Sequence, residues 1–383
     1  MKLKVAHLIT MLEMGGAQGN TVYTVKNLDR NKYDPLLISG KGGILDETVI
    51  SDRRVRTVFS RRLVREIRPL RDFLSFFELR KILRSENPDI VHTHSSKAGI
   101  LGRLAARAAG VRTIIHTFHG FGFNDRQNRL IRFFYVFLEK IAAVFTDRLI
   151  FVSRENLKTA GELGIGNPSK YRLIRSGIKL SDYSHDKDKG RLRKFFAQEN
   201  SKVVVSLGNL KPQKNPDDFY KIAQDTIHSS SDVYFLYLGG GDRLEEFRKR
   251  TEADGLYPRC RFLGWREDSA SILSACDFFL LTSLWEGLPR SLVEAMLSGL
   301  VPLCYKTDGV LDLVKDGYNG FLFEKGDSVK ARETLKKLLE ENNFYSEIRS
   351  NVLKTDLSEF DIDLMVRQQE ALYEETAKEL GSR

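Results

Sequence analysis

Short β-rich runs alternate with helix-length amphipathic stretches along the chain, and this limits its possible folds more than any other feature. In the first half the runs are Lys4 to Thr10, Asp34 to Ser39, Asp89 to Thr93, Thr113 to Phe118 and Arg148 to Val152. Between them lie Gln18 to Leu28, Leu70 to Ser85, Gly99 to Ala109 and Asn128 to Phe145. Such alternation predicts an α/β fold with a parallel, doubly wound sheet. The pattern restarts after residue 200 with Lys202 to Gly208, Val233 to Gly239, Cys260 to Leu263, Asp277 to Thr282 and Val301 to Tyr305. Two similar domains are expected, as a length of 383 residues allows. The polar segment Ser181 to Lys189 lacks hydrophobic periodicity and reads as the linker, which places the domains at 1–180 and 181–363. The last helical pattern, Leu364 to Leu380 within 364–383, is expected to pack back onto the first domain.

Charge separates the halves. Residues 1–178 hold 31 Lys and Arg against 16 Asp and Glu, a balance of +15, and the remainder holds 30 against 35, or −5. A basic half suits nucleic acid, anionic lipid or phosphorylated substrates, and charge alone does not choose among them. Cys260, Cys276 and Cys304 lie far apart without a CxxC, so neither a disulfide framework nor a zinc site is predicted and a reducing cytoplasm fits. No window reaches the roughly 18 uninterrupted apolar residues that a bilayer requires. The nearest, Ile131 to Val152, is broken by Glu139, Lys140, Asp147 and Arg148. At the start, Val5 to Ile9 is too short for a signal-peptide core and reads as a buried strand.

In open parallel sheets, ligands bind beyond the carboxyl ends of the strands, so the turns there are where chemistry is sought. The first holds Gly15-Gly16 before a helix, a turn whose backbone N–H groups can approach a phosphate, or simply a turn. In the second half, Ser283 to Met296 carries Glu286 in a turn and Glu294 in the following helix, which Pro289 helps to start. Glu286 is placed to hold sugar hydroxyls and Glu294 ribose hydroxyls, while N–H groups near Leu288 to Arg290 face a diphosphate; the plainer alternative is a capped helix with a solvated glutamate. A third turn, Gly208 to Pro216, offers Lys214 and Lys211 to neutralise a diphosphate leaving group, or to solvent.

These features occur in an order that resembles the retaining glycosyltransferases of family 4. The carriers are Glu286-x7-Glu294, Gly208-x-Leu210-x3-Lys214, Gly15-Gly16, the run Ile115 to Gly120, and Asp316-Gly317-x-Asn319-Gly320. The resemblance spans nearly the whole chain. It implies a GT-B architecture, two Rossmann-like domains facing across a cleft, with an acceptor-binding N-terminal half and a donor-binding C-terminal half. It also implies transfer from a nucleotide-sugar with retention at the anomeric carbon, and neither a cofactor nor a metal is expected. By resemblance, His119, Glu286 and Lys214 are the catalytic group. Gly15, Gly16, Asn209, Lys211, Lys214, Trp265, Glu286, Gly287, Leu288, Pro289 and Glu294 bind the donor. Two positions depart from the pattern: Asn209 stands where many relatives have arginine, and Asp308-Gly309 replaces a Gly-Gly turn.

His92, His94 and His116 gather at strand ends beside His119, but no carboxylate or cysteine accompanies them, so no metal is expected. His94, Ser95, Ser96 and Lys97 form a strand-to-helix turn that resembles a segment of bacterial polysaccharide transferases. It reads as an acceptor contact or as helix capping by Ser95 or Ser96. Between Arg53 and Arg84, eleven Lys and Arg interleave with Leu63, Val64, Ile67, Leu70, Phe73, Leu74, Phe76 and Phe77. This reads either as a contact with anionic lipid or as a surface helix with an ordinary core face. Nucleic acid is not expected, because no recognition signature accompanies the charge.

The expectation is a cytoplasmic, membrane-associating retaining transferase that moves a sugar from a UDP-sugar to a lipid-linked or polysaccharide acceptor. Its rivals are a sugar-nucleotide epimerase of the same fold and a non-catalytic nucleotide-sugar or anionic-lipid binding protein.

Overall fold

Leu3–Met11 forms strand β1, and its successive side chains explain why the run is unbroken in its hydrophobicity. Val5 packs on one face of a sheet with Ile90, Ile115 and Ile150, whereas Ala6 and Leu8 pack on the other with Leu36, Ile38 and Val91. A parallel strand covered on both faces has no solvent side on which to place polar residues. The computed structural model describes residues 2–183, 193–198 and 200–381. It divides into two compact units, Met1–Gly177 with Ile362–Arg383, and Ile178–Asp361. The chain thus passes between units at 177–178 and returns at 361–362. Of the expected linker, Leu180–Asp182 is a 3-10 turn, and residues 184–189 lie outside the described residues.

The first unit continues with β2 (Tyr33–Gly40), β3 (Thr57–Ser60), β4 (Ile90–His94), β5 (Thr113–Phe118), β6 (Arg148–Phe151) and β7 (Tyr171–Leu173). All pair in parallel, in the order β3-β2-β1-β4-β5-β6-β7. Strands β3 and β7, at the two edges, are four and three residues long and too brief to show as periodicity. Helices α1 (Gly16–Asn27), α2 (Asp46–Ser51), α3 (Pro69–Glu86), α4 (Ser96–Ala109), α5 (Arg129–Val144) and α6 (Arg154–Leu163) connect the strands.

Helix α4 sits close on the sheet because of its glycines. A Cβ on Gly99 would lie 2.5 Å from His116, and one on Gly102 would crowd Thr93 and Leu8 at 3.0–3.1 Å. Its Arg103 is fully buried and paired with Glu139 of α5. Removing one member of such a pair strands the other charge, at a cost of about 3–5 kcal/mol. On the opposite face, the C-terminal helix (Ile362–Gly381) buries Ile362, Met365, Val366, Leu372 and Tyr373 against Val5, Ile90 and Ile115.

The second unit has a six-stranded parallel sheet in the order β10-β9-β8-β11-β12-β13. Its strands are β8 (Lys202–Leu207), β9 (Val233–Leu238), β10 (Cys260–Gly264), β11 (Phe278–Leu281), β12 (Val301–Tyr305) and β13 (Phe321–Phe323). Helices α7 (Pro216–Ser229), α8 (Leu244–Ala253), α9 (Ser269–Ser274), α10 (Arg290–Leu297), α11 (Ser328–Glu340) and α12 (Asn342–Leu353) accompany it. Phe219, Phe235, Tyr237, Phe247 and Phe262 form an aromatic block in its core, with neighbouring ring centroids 4.7–6.1 Å apart. In both sheets the strand order reverses direction once, between β1 and β4 in the first and between β8 and β11 in the second.

Because Met365 is buried among these side chains, Met365→Ala is expected to cost the first unit about 2–5 kcal/mol, read as a lowered midpoint of chemical unfolding. A loss under about 0.5 kcal/mol would show that the C-terminal helix is no part of that core.

Candidate active site

Diverging connections at a reversal point open a crevice at the carboxyl ends of the two central strands. In the second unit those ends are the turns after β8 and β11, and they carry Lys214 and Glu286. Lys214 Nζ lies 2.5 Å from Glu286 Oε1, with both side chains largely buried. Backbone lacing fixes the two turns together. Leu284 N donates to Gln213 O at 2.8 Å, Gln213 Nε2 to Trp285 O at 2.9 Å, and Thr282 Oγ1 to the carbonyls of Lys214 and Asn215 at 3.0 and 2.9 Å. Gly208 leaves room for the lysine stem, since a Cβ there would meet Lys214 Cε at 3.0 Å.

Glu294 occupies the fifth position of α10, and Pro289 is its N-cap rather than its first residue. Burial pushes the Glu294 carboxyl above the ordinary glutamate range, against the opposing pulls of Arg290, the Tyr183 hydroxyl and Lys214. Arg290 Nη2 lies 3.9 Å from Glu294 Oε1. The departure at Asp308-Gly309 forms a 3-10 turn against the same loop, and a Cβ on Gly309 would come within 2.2 Å of Gly287 O. The Oγ of Ser283, the Oγ1 of Thr307 and the Oδ1 of Asn209 are buried with no hydrogen-bond partner among the described residues. Lys211 caps the 3-10 turn Pro212–Lys214.

Sequence reasoning missed the Gly239-Gly240-Gly241 turn after β9. Gly239 has φ +138 and could carry no Cβ, which would fall 1.8 Å from Gly208 O. Trp265, 47% exposed, lays its indole beside Gly240, where a Cβ would be 2.7 Å from Nε1. Three successive glycines after a buried strand were the available signal for close backbone approach.

In the first unit the reversal point lies between β1 and β4, and its turns carry Gly15-Gly16 and His94-Ser95-Ser96-Lys97. Gly15 caps α1 without a side-chain bond, and a Cβ there would collide with Gln18 Oε1 at 2.6 Å. Ser95 does not cap α4 through its side chain. It takes a left-handed φ of +61, and its Oγ lies 2.7 Å from Thr10 Oγ1, which itself accepts from Ala98 N at 3.1 Å. Thr10 of β1 therefore supplies the cap expected of Ser95 or Ser96. Ser96 Oγ sits against Gly122, and Lys97 turns to α3, where it pairs with Asp72 at 2.5 Å.

His119, half-buried just past β5, is joined by His94, whose Nδ1 lies 3.1 Å from His119 Nε2. His92 lies within β4 rather than at its end. Three buried rings, His7, His92 and His94, present nitrogens within 4.8 Å of one another, a spacing that a metal ion could bridge. No carboxylate belongs to that group, and its ring nitrogens already bond one another, Thr117 and Tyr373. Sequence reasoning passed over His7, which lies mid-strand in β1.

The basic segment divides. Leu63, Leu79 and Leu83 are core, but Ile67, Leu70, Phe73 and Phe77 are 46–75% exposed. Helix α5, which also packs on α4, adds Leu130, Ile131, Phe133, Phe134, Phe137 and Val144 at 49–78% exposed. No helix among the described residues is long and apolar enough to cross a membrane.

Comparison with known proteins gives two family matches: residues 14–182 match Glycosyltransferase Family 4, and residues 188–355 match Glycosyl transferases group 1. The chain is 36% identical over 331 residues to the UDP-Gal:alpha-D-GlcNAc-diphosphoundecaprenol alpha-1,3-galactosyltransferase of Escherichia coli, covering 85% of each. It is 24% identical to the N,N'-diacetylbacillosaminyl-diphospho-undecaprenol alpha-1,3-N-acetylgalactosaminyltransferase of Campylobacter jejuni, over 79% of this chain and 81% of that protein. Among solved structures, Anabaena Alr3699/HepE in complex with UDP matches with a TM-score of 0.80 at 22% identity, over 97% of this chain and 100% of that one.

A carboxyl raised by burial carries a penalty when ionised that is absent below its unfolded value and grows as pH rises through its folded one. Glu294→Gln is therefore expected to raise the thermal midpoint of the ligand-free protein near neutral pH, with the gain fading as pH falls below the ordinary glutamate range. Equal midpoints at both ends of a pH series would refute the burial penalty.

Proposed function

We propose, for a chain that belongs to glycosyltransferase family 4 and is a glycosyltransferase of GT-B fold, that it transfers sugar from a UDP-sugar to a hydroxyl of a lipid-linked acceptor. Transfer proceeds with retention at the anomeric carbon and needs no metal. The donor and acceptor classes are supported by the Escherichia coli relative, whose name specifies UDP-Gal and a diphosphoundecaprenol acceptor. The alpha-1,3 linkage in that name supports retention from an alpha-configured donor.

The observation that carries the reading is the buried Lys214–Glu286 pair. Breaking the bond between sugar and diphosphate builds negative charge on the leaving group, and a fixed cation stabilises that charge best in a site shielded from water. Lys214 supplies it, with Lys211 on the same turn. When phosphate oxygens take over Lys214, Glu286 is released to accept hydrogen bonds from sugar hydroxyls. Glu294 accepts from the ribose, and its raised acidity range falls when those hydroxyls donate to it. Ser283, Thr307 and Asn209 each hold a buried polar atom that a bound donor can satisfy, which removes a cost of about 1–3 kcal/mol apiece. His119 takes the role the family resemblance gives it, contact with the reacting sugar. The acceptor hydroxyl attacks on the face the diphosphate leaves, and a leaving-group oxygen receives its proton.

The exposed apolar side chains of α3 and α5, with Arg61, Arg62, Arg65 and Arg68 before one and Arg126 and Arg129 at the start of the other, form the contact with an anionic membrane surface. These side chains support a peripheral position on the inner face of the plasma membrane.

Lys214→Ala and Glu286→Ala are each expected to reduce release of UDP in the presence of UDP-sugar and lipid-linked acceptor by about 100-fold or more. Wild-type turnover should survive chelation of divalent ions. Undiminished turnover in Lys214→Ala would remove the assigned cation, and recovery of a glycosylated side chain would replace same-face attack with a covalent route.

The double variant Phe133→Ser with Phe137→Ser is expected to lower partition onto anionic vesicles by about tenfold or more, since each ring buried in lipid contributes about 1.5–3 kcal/mol. Equal sedimentation of variant and wild type with vesicles would assign the membrane contact elsewhere.

A further inference from the structure

Beneath the first unit's reversal point, four histidines and a tyrosine form one unbroken line of contacts. Thr117 Oγ1 lies 2.7 Å from His92 Nε2, and His92 Nδ1 lies 2.6 Å from the Tyr373 hydroxyl. That hydroxyl is 3.4 Å from His7 Nε2 and from Gln369 Oε1. His7 Nδ1 lies 3.1 Å from His94 Nε2, and His94 Nδ1 lies 3.1 Å from His119 Nε2. The line enters each ring at one nitrogen and leaves at the other. Its members come from β1, β4, the loop after β5 and the C-terminal helix, so the tertiary fold alone brings them together.

We propose that His7 and His94, anchored by Tyr373, are positioning residues that fix which ring nitrogen of His119 carries its proton. The functional part of the inference rests on the assignment of His119 to the reacting sugar.

A neutral imidazole carries one N–H, and two such rings in N···N contact need a single proton between the facing nitrogens. If His7 is protonated on Nε2, its bare Nδ1 accepts from His94 Nε2–H, whose bare Nδ1 accepts from His119 Nε2–H. If His7 is protonated on Nδ1, all three rings carry Nδ1–H instead. Mixed states set two lone pairs or two protons face to face. The three rings therefore share one tautomer, and changing it means changing all of them together. In the first state the Tyr373 hydroxyl accepts from His7 Nε2–H and keeps its single proton for His92 Nδ1 or Gln369 Oε1. In the second it must give that proton to His7 Nε2 and none is left for Gln369 Oε1, which can only accept, so the first state is favoured.

Burial keeps His7, His92 and His94 neutral. It lowers His7 to about 3 and holds His92 and His94 well below the ordinary histidine range, with further lowering from neighbouring rings. The groups that act on His92 and His94 are histidines, and on His116 also Arg103; none is a carboxylate that would favour an imidazolium. Tyr373 is fully buried and its hydroxyl stays protonated. His94 thus holds the His119 ring in a constant place through the Nε2 atom of that ring.

The test uses the full chain labelled with 15N-histidine, with long-range proton–nitrogen spectra at about pH 7, assigned by single substitutions. His7, His94 and His119 are expected to report the same single tautomer. Tyr373→Phe keeps the ring's volume, removes the anchor, and is expected to mix the His119 tautomers and to lower kcat about tenfold while donor KM stays within about twofold. His7→Asn retains an amide that can bond His94 and should keep the single tautomer, whereas His7→Leu should lose it. Opposite tautomers among the three rings, or a single His119 tautomer in folded His7→Leu, would overturn the proposal. So would one equivalent of zinc retained through dialysis with ring nitrogens shifted as metal ligands. Linked tautomers with full turnover in His119→Ala would sustain the array and remove only the assignment of His119 to the sugar.

Discussion

A parallel strand covered on both faces can satisfy its backbone only through its neighbours, and it has no lateral surface on which to place a polar group. Polar groups go to the strand ends or, like His7 and His92, stay inside only with partners that bond them. β1 shows the rule through Val5 and Ala6, which bury on opposite faces of one sheet. The carboxyl end receives the chemistry because connections diverge there at the reversal of strand order, leaving space that side chains alone do not fill. Lys214 and Glu286 sit at that point in one sheet, and Gly15, Gly16 and His94 in the other.

How much of this was legible depends on the range of the interaction that sets it. Long central strands and their helices carry their own periodicity, so β1, β4, β5, β8, β9 and β11 can be read directly. β3, β7 and β13 cannot, because three or four residues at a sheet edge owe their conformation to one neighbour. Glu286 and Lys214 stood out through motif spacing and family resemblance. Their 2.5 Å pairing did not, since it depends on lacing between turns 72 residues apart. The capping of α4, for which Ser95 or Ser96 stood as one alternative, falls to another residue for the same reason: Thr10 from β1 reaches Ala98 N and Ser95 turns to bond Thr10. His7 was invisible because a histidine in a buried strand resembles any core residue until its partners are known.

Several positions at the carboxyl ends of the strands break ordinary local rules. Ser95 takes a left-handed backbone, and Gly239 and Gly309 occupy places where any side chain would strike a carbonyl. Ser283, Thr307 and Asn209 bury polar atoms without partners among the described residues. A sequence selected for stability alone would relieve each of these, so they are positions at which the fold bears a cost.

Helix α5 carries apolar side chains on two faces. Its outward side carries Phe133, Phe134 and Phe137, and its inward side packs Tyr135, Val136 and Ala143 and holds Glu139, locked to Arg103 inside the unit. An ordinary amphipathic helix meets lipid by letting go of its own core, because the same apolar face serves both. Here the two tasks belong to different faces, and the inward one is secured by packing and by a buried ion pair. Lipid that attracts the rings cannot peel the helix away without leaving Arg103 alone in a dry interior, so α5 can rest in a greasy medium as a fixed part of the domain and need not unfold to do so.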